Sequence, residues 1–288
     1  MLIIIGTLPV KTMSLTQGFC VFKNGKLEID GLTLPLINGT SIVMAAASIA
    51  CEHIGIEKPY VIVAGDIGSG DGSNQLYRFL RNTNFDIAKK SCKNVITMSY
   101  LKPNILYAKD VVTALKKRIN DILIADSGSM YVAKAAGIAK DFDLFTPDLG
   151  EMAFLADHEA IHPAYVRNYI FNSKNDVPGL IAKAYGSHDA AKSLIIKGVS
   201  DYVVEDGKIV AQISEPCVPT LEPIGGTGDS LLGIVSALVA SGHKIIDSSI
   251  IACKTNRLMG ALSNPDPATK VWEILRYIPD ALNSSIKI

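Results

Sequence analysis

Residues 222–242 read EPIGGTGDSLLGIVSALVASG, so three glycines, a threonine and one carboxylate stand directly ahead of a long apolar run. The first amides of a helix have no partner within it. Glycine lets them approach an anion closely, and the helix dipole adds partial positive charge there. The turn Gly225–Gly228 can therefore stabilise a phosphate or a phosphoryl group in transit. Asp229 would sit beside that anion, where a carboxylate is electrostatically unwelcome unless it has work to do. Taking a proton from an attacking hydroxyl is such work. The competing reading is that Asp229 only caps the helix.

Such a turn needs a scaffold, and the remaining chain supplies one. Short apolar strands are expected at LIII near the start, at YVIVAG (60–65), ILIAD (122–126), FDLFTPD (142–148) and SLIIKG (193–198). Helices are expected at 40–54 with Gly55 as the stop, and then at 73–82, 111–120 and 130–140. Further helices are expected to begin at 149 and to cover 176–187, 230–241, 250–262 and 271–282. Hairpins are expected at Asn24-Gly25 and Asp206-Gly207. Strands that alternate with helices imply an α/β chain with a mostly parallel sheet covered on both faces. No linker divides it, so residues 1–288 are expected to form a single domain. Ligands bind at the carboxyl ends of strands in such sheets. The turns found there are Gly6-Thr7, Gly65–Ser73, Asp126–Gly128, Thr146–Glu151, Lys197-Gly198 and Gly225–Asp229. Nearly every polar cluster of the chain falls among them, which points to an enzyme.

The 288 residues are 48% hydrophobic, and 28 basic side chains balance 28 acidic ones, so net charge favours neither nucleic acid nor anionic lipid. Five scattered cysteines without a CxxC pair fit neither a disulfide framework nor a zinc site, and a reducing cytoplasm is expected. His158 and His162 are four apart, but Pro163 follows at once and no further metal ligand is evident. The apolar run MLIII is too short for a signal peptide, and no segment approaches the roughly 20 apolar residues of a membrane span.

GGTGDSLLGIVSALVASG resembles the signature of the ribokinase-like superfamily, a GxGD turn followed by a hydrophobic helix. Its doubled glycine is most similar to the carbohydrate-kinase-like branch that contains the ATP- or ADP-dependent NAD(P)H-hydrate dehydratases. LFTPDLGEMAFLAD resembles that branch's TPHPGE segment through Thr146, Pro147, Gly150 and Glu151. LIIKG resembles its nucleotide-binding strand, and ILIADSGSM its VLDADAL strand. VIVAGDIGSGDGS resembles the GPGLG loop, and NGTSIVMAAASIA the early glycine turn and alanine-rich helix. The matches run in family order from residue 37 to about 285.

The resemblance implies a three-layer α/β/α fold with Asp229 as catalytic base and Gly226, Thr227 and Gly228 as the anion hole. Lys197, Gly198 and Gly228 would line the nucleotide site. Gly39, Thr40, Gly65, Asp66, Gly68, Asp148 and Asp229 would meet the substrate. Glu151 with Asp148 would hold Mg²⁺ through water. Other readings stay open for several of these residues. Glu151 could be a first-turn acid, Lys197 a solvated strand end, Asp66 and Asp71 turn formers, and Asp126 a helix cap.

The chain also departs from the pattern. Asp148 and Leu149 replace the family's His-Pro, the GPGLG loop is lengthened, 91–121 looks inserted, and 1–36 has no place in the pattern. The expected activity is nucleotide-dependent dehydration of hydrated NAD(P)H through phosphorylation of a hydroxyl. The alternatives are a kinase for a sugar or vitamin-precursor alcohol, or a nucleotide-binding regulatory protein without turnover. Expected partners are a small-molecule substrate and ATP or ADP. The oligomeric state, the choice of nucleotide and any need for a monovalent cation stay open.

Overall fold

The computed structural model describes residues 1–82, 93–117, 121–166 and 176–286. The chain opens with strand β1 (Leu2–Leu8) and the meander β2 (Thr16–Lys23), β3 (Lys26–Ile29) and β4 (Leu32–Leu34). Helix α1 (Thr40–Ile54) and strand β5 (Tyr60–Gly65) follow, then α2 (Asp71–Asn82), β6 (Val95–Ser99) and α3 (Ile105–Lys116). Next come β7 (Ile122–Asp126), α4 (Ser127–Ala135), β8 (Leu144–Phe145), α5 (Leu149–Ala156) and α6 (Val177–Gly186). Strands β9 (Ser193–Ile196), β10 (Asp201–Glu205) and β11 (Lys208–Ile213) complete the sheet. The chain closes with α7 (Thr227–Ala240), α8 (Ile245–Ser263), α9 (Val271–Ile274) and α10 (Ile278–Ile286).

The eleven strands lie in the order β11-β10-β9-β8-β7-β6-β1-β5-β2-β3-β4. From β5 to β9 every pairing is parallel, and antiparallel strands extend both ends. The N-terminal residues 1–36 therefore have a definite place. β1 lies inside the parallel block, and the meander widens the sheet beyond β5. Thr16–Phe19 of β2 pair with β5, whereas Cys20–Lys23 pair with β3, so the meander bends away from the main sheet. Cys20, Leu27, Ile29 and Leu34 then pack in the same apolar cluster as α1.

The stretch 91–121 is built into the sheet. It supplies β6, which pairs between β1 and β7, and α3 behind it; residues 91, 92 and 118–120 lie outside the described residues. The strand expected across 142–148 is only two residues long, because Asp148 already caps α5.

Alternation along the strands divides the core. Leu2 and Ile4 join the cluster with α1, α7, α8 and α10, whereas Ile3 and Ile5 join the one with α2 to α6. The apolar, alanine-rich α1 is buried almost all round. It packs tightly on α7, where a Cβ added at Gly233 would lie 2.5 Å from the Val43 carbonyl oxygen. Gly55 ends α1 in the left-handed conformation, as its position predicts.

Candidate active site

Two helix N-termini descend onto the carboxyl ends of the parallel strands from the α1–α7 side. Gly6 pairs with Ser99 and Ser99 with Asp126, so these residues form one row at the sheet's end. Residues two earlier in each strand face the α1–α7 layer. Ile4 and Ile124 pack there, and Thr97 Oγ1 donates to Ser236 Oγ of α7. By the period of two, Gly6, Ser99 and Asp126 face the same way. A Cβ at Gly6 would lie 2.7 Å from both the Thr40 side chain and the Ser99 carbonyl, so the bare backbone admits the start of α1. Farther along the row, Asp148 forms a parallel bridge with Lys197.

Asp229 lies where the two N-termini meet. It is 5% exposed; Oδ2 accepts from the Gly39 amide at 2.8 Å and Oδ1 from the Tyr100 hydroxyl at 3.0 Å. Gly39 is the N-cap residue of α1, so the carboxylate bonds to a helix other than its own. Burial, and then the Asp126 carboxylate, push its pKa up to about 6, although Gly39, Lys197 and Tyr100 pull the other way. Asp229 is therefore mostly ionised at neutral pH yet basic enough to accept a proton.

The glycines ahead of Asp229 do different jobs. Gly226 has φ 100°, and Cβ atoms at Gly225 and Gly226 would strike Asn38 and Val271. A Cβ at Gly228 would instead lie 3.2 Å from Lys197 Nζ. The lysine ammonium thus borders the start of α7, where helix amides and a positive charge converge on one space. Asn256 Nδ2 donates to the Thr227 carbonyl and steadies this first turn.

Lys197 Nζ also donates to Asp126 Oδ1 at 3.1 Å and lies 3.9 Å from Glu151 Oε2. Burial pulls its pKa down, but these carboxylates outweigh that and hold the ammonium charged. Asp126 occupies the N-cap position of α4 without making the cap bond, and its carboxylate turns to Lys197. Glu151 is raised by burial and by Asp126, and its Oε1 accepts from the Tyr131 hydroxyl. Asp148 and Glu151 form a reciprocal capping box at the start of α5. The structure therefore gives both acids a helix-capping role. Three acids (Asp126, Asp148 and Glu151) thus gather around one ammonium, with Glu151 pushed up to about 7 by burial and by Asp126. Among the described residues no group of three or more His, Cys, Asp or Glu could hold a metal ion directly. Asp148 and Glu151 are the oxygen donors here that would suit a hard cation.

Asp66 does not reach this constellation. Its carboxylate accepts from the amides of Gly68, Gly70 and Ser73 and from the Ser73 hydroxyl, which ties up the loop after β5. Burial raises its pKa, but these donors prevail and hold it below the usual aspartate range. Gly65 is needed because a Cβ there would lie 2.1 Å from the Val10 carbonyl oxygen. At Gly198 the carbonyl accepts from Arg257 and the amide donates to Asp201, so its backbone is part of a buried ionic junction. The two histidines part company: His158 faces Asp189, and His162 accepts from the Ala164 amide. Cys20, Cys51, Cys217 and Cys253 are free, and Cys92 lies outside the described residues. No described helix is long and apolar enough to cross a membrane.

Tyr100, Asn38, Asn256 and Tyr131 escaped the reading of the sequence. Tyr100 alone had a visible signal, because VITMS is an apolar run ending in a polar turn like the other strands.

No family model matches the chain. Among solved structures, phosphofructokinase-2 from Escherichia coli, in complex with potassium, superposes with a TM-score of 0.58 at 14% identity, covering 98% of this chain and 99% of that one. The pyridoxal kinase from Staphylococcus aureus, in complex with AMP-PCP and pyridoxal, gives 0.55 at 14% identity over 88% and 85% of the two chains. The fold is thus ribokinase-like α/β, with a large, mostly parallel sheet between helical layers. In sequence, the chain is 41% identical over 228 residues to the uncharacterized protein MJ1337 of Methanocaldococcus jannaschii, covering 79% of this chain and 92% of that protein. The chain belongs to the family of that archaeal protein. Over a shorter stretch of 96 residues it is 33% identical to the bifunctional NAD(P)H-hydrate repair enzyme Nnr of Hyperthermus butylicus, spanning 33% of this chain and 17% of that enzyme.

Proposed function

We propose that this protein is a nucleotide-dependent enzyme that transfers a phosphoryl group from ATP or ADP to a hydroxyl of a small molecule. The observation that carries the reading is Asp229, buried between two helix N-termini, with Lys197 Nζ beside Gly228. Asp229 would take the hydroxyl proton as the new O–P bond forms and the bond to the leaving nucleotide breaks. The amides of Gly226, Thr227 and Gly228, with the Lys197 ammonium, would stabilise the charge on the moving group. When bound, Mg²⁺ would neutralise charge on the nucleotide's phosphates beside Asp148 and Glu151.

The substrate proposed first is hydrated NADH or NADPH. There the C–O bond of the phosphorylated carbinol breaks to release phosphate, the neighbouring ring carbon gives up a proton to solvent, and the reduced nicotinamide is restored. The partial likeness to the Hyperthermus repair enzyme supports this choice. The second reading is a kinase whose product keeps the phosphate. It draws support from the likeness in fold to small-molecule kinases, phosphofructokinase-2 and pyridoxal kinase.

The test supplies purified hydrate, Mg²⁺ and either nucleotide, and follows recovery of the reduced-nicotinamide absorbance and free phosphate. Recovery with phosphate release supports the dehydratase. No recovery, together with phosphorylation of a sugar or pyrimidine alcohol, replaces it with the kinase. Nucleotide binding without turnover on either panel would make the protein a regulator and overturn both.

A further inference from the structure

Seven described non-glycine residues have positive φ. Six are Asn, Asp, Ser or His, several of which tolerate the left-handed region through local hydrogen bonds. The seventh is Tyr100, at φ 56°. A bulky residue held there marks a site whose surroundings over-determine the backbone. The Thr7 hydroxyl donates to the Tyr100 carbonyl at 2.6 Å and latches this conformation. The ring lies over Gly39, 3.4 Å from where a Cβ would stand, so the glycine at the start of α1 makes room for it. The phenol then reaches Asp229 Oδ1 at 3.0 Å.

We propose that Tyr100 is a positioning residue that keeps the Asp229 carboxylate charged and correctly turned for the incoming hydroxyl. A carboxylate rotates easily about its last torsion. Here one oxygen is held by the Gly39 amide and the other by the Tyr100 hydroxyl, so the two donors fix its plane. The titratable groups facing Asp229 are Tyr100 from the end of β6, Asp126 from β7 and Lys197 beyond β9. Asp126 opposes ionisation of Asp229, while Lys197 and Tyr100 favour it. Donation to the charged form favours that form, so loss of the hydroxyl makes Asp229 harder to ionise. This role rests on the reading of Asp229 as the base.

The test uses full-length protein carrying carboxyl-¹³C aspartate, with Asp229→Asn assigning the resonance. In Tyr100→Phe the Asp229 midpoint should rise by about one pH unit, as expected on losing a hydrogen bond to a charged group. Tyr100→Gly, which adopts the left-handed backbone freely, should raise it as well. Unchanged midpoints in both variants overturn the proposal. This titration needs no turnover, so it stands apart from any failure to find phosphoryl transfer. In an enzyme that does turn over, the acid limb of kcat/KM should move up with the midpoint, and kcat should fall while KM stays within a few-fold. A raised midpoint with an unmoved pH profile and an unchanged kcat also overturns it.

Discussion

Replacing Asp229 by Asn should make the protein less active and more stable. The wild-type carboxyl holds its proton up to about pH 6 in the fold, whereas an ordinary aspartate releases it near 3.8. The gap is about 2 pH units, each worth about 1.4 kcal/mol, so the ionised carboxylate costs the folded state about 3 kcal/mol at neutral pH. Asparagine removes that cost and keeps both partners, since its carbonyl can accept from Gly39 while its amide donates to the Tyr100 oxygen. The attraction to Lys197 is already contained in that figure, so the gain is at most about 3 kcal/mol, or a rise in Tm of up to roughly 5 °C at this chain length. The folded state binds the proton more tightly, so wild-type stability falls as pH rises from about 3.8 through 6. The advantage of the variant should therefore be full above pH 6 and fade as the medium is acidified toward 3.8. Turnover should drop by roughly 10²–10⁴, the usual value of a positioned base. Thermal melts across pH 4–8, with nucleotide affinity and turnover on the same preparations, check both halves. A variant that melts lower than wild type at pH 7, or that turns over normally, refutes the reasoning.

Gly228→Val places a branched side chain where Cβ already lies 3.2 Å from Lys197 Nζ, so the ammonium must move and the α7 amides become covered. Stabilisation of the folded variant by ATP or ADP should largely vanish, and unchanged stabilisation would put the phosphate elsewhere. Asp66→Ala strips four donors of their acceptor and should cost about 1–3 kcal/mol in chemical denaturation. Because the folded Asp66 carboxyl sits below its ordinary range, its contribution is present above the unfolded pKa and is lost as pH falls through the folded one. The difference between Asp66→Ala and wild type should narrow accordingly in acid.

Much of the chemistry was legible along the chain because it depends on local rules. A run of glycines ahead of an apolar helix announces bare amides whatever surrounds them, and the strand-ending turns could be located from hydrophobic periodicity. The left-handed stop at Gly55 and the hairpin at Asn24-Gly25 follow from backbone sterics alone. Strand β6 was legible in part: likeness to the dehydratase pattern leaves 91–121 without a counterpart, yet VITMS carries the same apolar signal as its neighbours.

Residue type and local spacing marked out the groups able to do chemistry: Asp229, Lys197, Glu151, Asp148, Asp126 and the amides of the glycine turn. Tertiary structure alone decided what each one faces. Asp229 binds the amide of a helix whose cap, Gly39, lies 190 residues away in sequence. Asp126 leaves its own helix uncapped to reach Lys197, 71 residues on, while Asp148 and Glu151 turn toward each other across one helical turn. Asp66, equally suited to binding by type, closes its own loop. Tyr100 gains its role only because parallel strands β1 and β6 bring Thr7 and Tyr100 together beneath the start of α1. The physical reason is that a carboxylate's role is set by its donors, its burial and the neighbouring charges, and in this fold most of those arrive through parallel pairing from distant parts of the chain.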